Sequence, residues 1–250
     1  MNQSRHHAKI KPPNSRSASI LEISQIKKNF GYCPILRGVS FKLQKGRQTL
    51  LLGKNGAGKS TLFKILSGLM RPTSGQISLH QKEISLHPRQ LRQMIGVISH
   101  ASQVYKELSA QENLAFYSQL REVENRQEKI EVALKKTGLS DFSSIPVKCF
   151  SSGMLKRLNI AKLLVAKPKI LLLDEPYTGL DYDSINLFND FLRQFKTEGG
   201  TILLISHQIE TCFDNSDDIL ILESGIIKNQ YLRSDFSYQD LIQKYQSITT

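Results

Sequence analysis

Gly53-Lys54-Asn55-Gly56-Ala57-Gly58-Lys59-Ser60-Thr61 decides how this chain is read. A glycine, four residues and then Gly-Lys-Ser is the pattern of a phosphate-binding loop. Backbone N–H groups in such a loop turn inward on phosphate oxygens. The three glycines permit a close approach where a Cβ would clash. Lys59 offers a point charge to the outer phosphates, and Ser60 offers a hydroxyl to Mg²⁺. The flanks agree. Gln48 to Leu52 predicts a buried strand entering the loop. Lys59 to Ser67 predicts a helix leaving it, stopped at Gly68 with Pro72 beyond. A helix that starts there aims its positive dipole end at the phosphate.

Further along the chain, Ile170-Leu171-Leu172-Leu173-Asp174-Glu175-Pro176 is an apolar strand ending in two acids. Parallel strands covered on both faces carry ligands at their carboxyl ends. Asp174 there can hold Mg²⁺ through a water, and Glu175 can orient a water against a terminal phosphate. Ile202 to Ile205 is a second continuous apolar run, and His207 follows it at another strand end. Phe150-Ser151-Ser152-Gly153-Met154 opens a helix after Pro146. A helix start rich in Ser and Gly presents N–H groups to an anion, although an ordinary N-cap reads the same way.

The remaining pattern places these pieces. Residues 20–45 alternate apolar and polar and predict antiparallel strands. Residues 107–166 are mostly helical in period, with a capping box at Ser109-Ala110-Gln111-Glu112 and a second helix ended by Gly138. Residues 121–131 are charged enough for a solvated face or a loop. Ile219 to Leu222 and Ile226-Ile227, separated by Glu223-Ser224-Gly225, predict a hairpin. A helix with Leu241, Ile242 and Tyr245 is expected in the tail after Ser234.

The chain has 250 residues, 40% hydrophobic and 22% charged, which fits a globular protein with a sizeable core. No apolar run is long enough for a transmembrane helix, so a membrane role would come through a partner. Cys33, Cys149 and Cys212 share no metal-ligand spacing and suit a reduced compartment. A net charge of +12 suits an anionic ligand, but the basic residues are scattered rather than clustered. The first nineteen residues are Ser-rich and basic, without the apolar segment of a secretory signal. They are expected to be a disordered extension.

In this order, the motifs over about residues 20–230 resemble the ATP-binding subunit of ABC transporters. The phosphate loop resembles that family's Walker A and Ile170–Glu175 its Walker B. Phe150–Met154 is similar to its signature sequence, Thr178-Gly179-Leu180-Asp181 to its D-loop, and His207 to its switch histidine. Phe30 falls where the family stacks an aromatic ring on adenine. The resemblance implies an α/β P-loop NTPase core with a mainly parallel sheet, an N-terminal antiparallel β subdomain and an inserted α-helical subdomain. As domains it implies an extension at 1–19, an ATP-binding domain at 20–232 with its helical insertion at about 101–166, and a helical tail at 233–250.

It also implies ATP and Mg²⁺ as cofactors, with Gly53 to Thr61 around the phosphates and Ser60 and Asp174 on the metal. Glu175 would be the general base, Lys59 would neutralise the β and γ phosphates, and His207 would contact the γ phosphate. Ser151 and Gly153 would bind the γ phosphate across a dimer of two such subunits, and Ser152, His100 and Asp181 would also belong to the nucleotide site. The dimer would sit on the cytoplasmic face of a membrane and drive a membrane-spanning partner, with no nucleic acid expected. Two positions depart from the family pattern. The signature reads Phe-Ser-Ser-Gly-Met. Counting back from Glu112-Asn113-Leu114, His100 stands where the family has a Gln, with Gln103 nearby but out of register. Those departures resemble the branch containing the haem exporter of cytochrome c maturation and multidrug exporters. The alternative is a soluble ATPase of the same family acting on nucleic acid or ribosomes.

Overall fold

The computed structural model describes residues 18–79, 82–83, 88–99, 104–179, 182–206 and 209–249. His100, Gln103, Leu180, Asp181, His207 and the leader up to residue 17 lie outside them. The fold opens with the long antiparallel pair β1 (Ser19–Phe30) and β2 (Cys33–Gln44). Ser19, counted with the extension from sequence, already belongs to β1 and pairs with Gln44. Alternation holds through Val39, Phe41 and Leu43 of β2 and slips by one at Gly38, beyond which Leu36 is again buried. In β1 it slips by one at Gln25, which sits at φ 51° in a bulge between Ile23 and Ile26. An extra residue there returns Ile26 to the core face. β4 (Ser74–Leu79) and β5 (Lys82–Glu83) complete this sheet in the order β2-β1-β4-β5.

β3 (Gln48–Leu52), α1 (Lys59–Leu66), α2 (Pro88–Met94) and β6 (Ile95–Ile98) then begin the second sheet and its helices. That sheet gains β7 (Ile170–Asp174), β8 (Thr201–Ile205), β9 (Asp218–Glu223) and β10 (Ile226–Leu232). Its order is β10-β9-β3-β8-β7-β6, parallel from β9 to β6, with β10 returning antiparallel. The continuous apolar runs are explained by burial on both faces. Leu51, Leu172 and Leu203 face the antiparallel sheet and α1. Their neighbours Leu50, Leu171, Leu173, Ile202 and Leu204 face the opposite layer. That layer holds α6 (Tyr182–Thr197) and α7 (Ile209–Phe213).

Between β6 and β7 lie α3 (Ala110–Leu120), α4 (Arg126–Lys136) and α5 (Ser152–Ala166). They enclose their own cluster around Leu114, Ile130, Leu134, Leu139, Leu158 and Val165. The capping box forms as expected, with the Glu112 N–H donating to Ser109 Oγ at 3.2 Å and the Ser109 N–H to Glu112 Oε2 at 2.8 Å. The charged stretch expected as a solvated face or loop already contains the start of α4, and its Ile130 is buried. α5 also sends Ile160 and Leu163 into the core beside the parallel sheet, so the helical region is tied to it by packing. The tail helix α8 (Tyr238–Thr249) follows a short 3₁₀ turn. It is part of the core rather than an appendage, because Leu241 is fully buried against the second layer.

Candidate nucleotide site

The loop after β3 has the backbone its glycines require. Gly56 and Gly58 take φ 81° and 106°, a region costly to side-chain-bearing residues. At Gly58 there is no room either, since a Cβ would stand 2.7 Å from Leu36 Cδ2. The hairpin turn between β9 and β10 wedges in behind the loop. The Gly225 N–H donates to the Ala57 carbonyl at 3.2 Å, and the Arg37 N–H donates to the Gly225 carbonyl at 2.8 Å. A side chain at Gly225 would collide with the Ile35 carbonyl. The loop is thus braced from outside, while Lys54, Asn55, Gly56 and Ser60 remain exposed.

Lys59 opens α1 and folds back over the loop, its Nζ donating to the Gly53 carbonyl at 2.6 Å and the Lys54 carbonyl at 3.0 Å. Burial pushes its ammonium below the usual lysine range, against the pull of the Glu175 and Asp174 carboxylates. The two strand-end acids are therefore close enough to act on the lysine. Asp174 ends β7 opposite Ile205. Glu175 is buried, with its N–H donating to the Ile205 carbonyl at 2.9 Å. It sits at φ 49°, a strained position for a glutamate that costs on the order of 1 kcal/mol. Its Oε2 accepts from Ser206 Oγ at 2.9 Å, and the buried Cys212 thiol lies against the same hydroxyl, with burial pushing it up to about 11.

With phosphate oxygens and water, Ser60 and Asp174 would complete the hard oxygen set that Mg²⁺ takes. Among the described residues no group of three or more His, Cys, Asp or Glu side chains forms a metal cage. The Ser60 hydroxyl and the Asp174 carboxylate are hard oxygen donors, so the residues present fit Mg²⁺ bound together with a nucleotide. Bound there, the ion would draw negative charge from the phosphates. Lys59 would supply the protein's own positive charge.

Phe30 closes β1 opposite Cys33, and its ring is 51% exposed with Lys28 Nζ 5.3 Å from the centroid. An exposed ring on the hairpin that also carries Ile35 and Leu36, the neighbours of Gly58, is available to stack on a base. The signature segment behaves differently. Ser151 is the N-cap of α5, its Oγ accepting from the Met154 N–H at 3.2 Å. Ser151 and Ser152 face solvent. The link back to the acids comes from Lys156, whose Nζ donates to the Pro176 carbonyl at 3.0 Å. Ser206 as a partner of Glu175, and the bracing role of the predicted β9–β10 hairpin, escaped the sequence reading. Only a polar residue ending the Ile202–Ile205 run, and a Gly in a turn, hinted at them. The positions of His100, Asp181 and His207 fall outside the described residues.

Comparison with known proteins places this geometry. The model of the ABC transporter family matches residues 36–178. The chain is 38% identical over 232 residues to the lantibiotic transport ATP-binding protein SrtF of Streptococcus pyogenes, covering 90% of this chain and 99% of that one. It is 35% identical to the linearmycin resistance ATP-binding protein LnrL of Bacillus subtilis, covering 82% and 67%. Relatives named for import are also found. A solved structure of the ATP-binding subunit of an ABC transporter superposes with a TM-score of 0.85 at 27% identity, covering 93% of this chain and 100% of that one.

Proposed function

This chain belongs to the ABC transporter family as an ATP-binding, ATP-hydrolysing subunit, and from that premise we propose that it powers export of a peptide-like or amphiphilic antimicrobial compound through a separate membrane-spanning partner. The observation that carries this is the near-complete overlap with a relative named for lantibiotic transport. No helix among the described residues is long and apolar enough to cross a membrane, and in this reading the partner lines the pathway. The finer resemblance to haem exporters rests on Ser151–Met154 and His100 alone, and the relatives reported above are named for other cargo.

At the site, Gly53 to Thr61 cradle the phosphates, Lys59 balances their charge, and Phe30 stacks on adenine. Ser60 and Asp174 hold Mg²⁺, and Glu175 orients the attacking water. The exposed Ser151 and Ser152 and the half-buried Gly153 face the γ phosphate of a nucleotide bound to a second copy, with Asp181, His100 and His207 completing the composite site. Two subunits closing on two ATP molecules would pull on the partner at the cytoplasmic face, and hydrolysis would release them. The test is to purify the full chain from its own membranes and identify the polypeptide that comes with it. A deletion strain is then challenged with lanthionine-containing peptides and, separately, assayed for cytochrome c assembly. A copurifying multispan protein and peptide sensitivity support the proposal. Normal peptide tolerance with failed cytochrome c assembly would return the assignment to haem.

A further inference from the structure

The tail helix α8 is seated on the core by several contacts before it reaches the site. Ser237 caps it, its Oγ accepting from the Asp240 N–H at 3.2 Å while the Ser237 N–H donates to Asp240 Oδ2 at 3.0 Å. The Tyr238 ring meets Phe213 edge-on at 5.9 Å, and Leu241 is fully buried. Lys244 Nζ stands 4.1 Å from the centroid of the Phe236 ring. Positions 238, 241, 242 and 245 share one face of a helix. That face therefore carries Tyr245 onward, one turn past Leu241, to the phosphate loop.

There a cavity of about 320 Å³ lies between Gly53–Ala57 and the β9–β10 turn, and Tyr245 forms part of its wall. Tyr245 and Gly53 share that wall, and burial holds the Tyr245 phenol above its usual range, against the pull of the nearby Gly53 N–H. The Gly53 carbonyl accepts from Lys59 Nζ at 2.6 Å. A Cβ at Gly53 would meet the Leu222 carbonyl at 2.5 Å. Gly53 thus has Lys59 on its carbonyl and the tail's Tyr245 beside its N–H. Lys59 has to leave that carbonyl to meet a phosphate, whereas Tyr245 can stay.

We propose that Tyr245 is a positioning residue of the phosphate loop, its phenol oxygen holding the Gly53 peptide so that the far end of the chain sets nucleotide affinity. This rests on reading residues 53–61 as the nucleotide's phosphate site. A loop already ordered loses less freedom when ligand binds, so the effect falls on affinity rather than on the chemical step. Tyr245→Phe keeps the ring and its packing and removes only the hydroxyl.

The experiment uses the full-length chain with Mg-ATP, measuring ATP affinity, KM, turnover at saturating ATP, thermal midpoint and amide exchange at Gly53–Ala57. Tyr245→Phe is expected to weaken affinity and raise KM by roughly threefold to tenfold. Turnover at saturation and the thermal midpoint should stay near the parent's, with faster exchange at Gly53. Leu241→Ala serves as the packing control and should lower the midpoint. Unchanged affinity in Tyr245→Phe, or a lowered midpoint without a KM shift, overturns the proposal. Lys59→Ala separates the two levels. If it loses ATP while Tyr245→Phe does not, the role of Tyr245 falls and the loop reading stands. If it binds ATP as the parent does, the loop reading itself fails.

Discussion

The two ends of the parallel sheet are built on opposite principles. At the amino ends of β3 and β9 the charges are paired with one another. Arg47 grips the buried Asp218 with two hydrogen bonds of 2.7 and 2.9 Å. Asp217 accepts from the Gln48 N–H and from Lys196 Nζ, both at 2.8 Å. At the carboxyl ends the backbone is strained at Glu175, the phosphate loop is exposed, and Lys59 rests on carbonyls it would exchange for a ligand. One end holds the strands together, and the other keeps groups ready to change partners. Stability and function are therefore separable along a single set of strands.

That separation can be attacked from either end. Glu175→Gln should give the largest effect. Hydrolysis is expected to fall by roughly 10²- to 10⁴-fold while ATP binding persists, read by single-turnover kinetics and nucleotide affinity. Dimers should accumulate in ATP. Arg47→Ala works at the closed end. It leaves a buried carboxylate without its guanidinium, and unfolding free energy should drop by about 3–5 kcal/mol in denaturant titration with ATP affinity retained. If the damage were reversed, with activity lost at Arg47 and stability at Glu175, the two ends would not be specialised as described.

Lys162 sharpens the contrast from a third position. It is buried between the helical region and β6, with Nζ 4.7 Å from the Tyr117 ring centroid. Burial, aided by Arg121, lowers its ammonium to about 8. The unfolded chain therefore holds more protons than the folded one between about pH 8 and 10.5, and this residue's contribution rises with pH across that window. Lys162→Met should be more stable than the parent at pH 7, by up to about 3 kcal/mol, and that advantage should vanish toward pH 10.5. A pH-independent difference would contradict it. The smallest effect is expected at Ser206. Ser206→Ala should slow turnover about tenfold at unchanged KM, with Ser206→Thr restoring much of it. A KM change alone would show that the 2.9 Å bond to Glu175 does not orient the base.

Most of the sheet was legible because a strand covered on both faces is written as an uninterrupted apolar run. Ile170–Leu173 and Ile202–Ile205 are such runs. The phosphate loop was legible because its geometry demands glycine at fixed positions, and the loop adopts that geometry at Gly56 and Gly58. Through-space relations were not. Nothing local marks Ser206 as the partner of Glu175, because the contact joins strands 31 residues apart in sequence. The bulge at Gln25 was missed because alternation resumes on the same face after one extra residue. The tail was recognised as a helix from Leu241 and Tyr245, but its burial depends on surfaces of β10 and α7 that its own sequence does not describe.

The central claim is that the loop around Gly56 grips a polyphosphate and that Lys59 supplies its charge. Lys59→Ala in the full-length chain tests it, with ATP affinity and steady-state turnover measured together and the fold checked by thermal midpoint. The account predicts that both fall by on the order of 10²-fold or more while the midpoint holds. Undiminished affinity and turnover would contradict it.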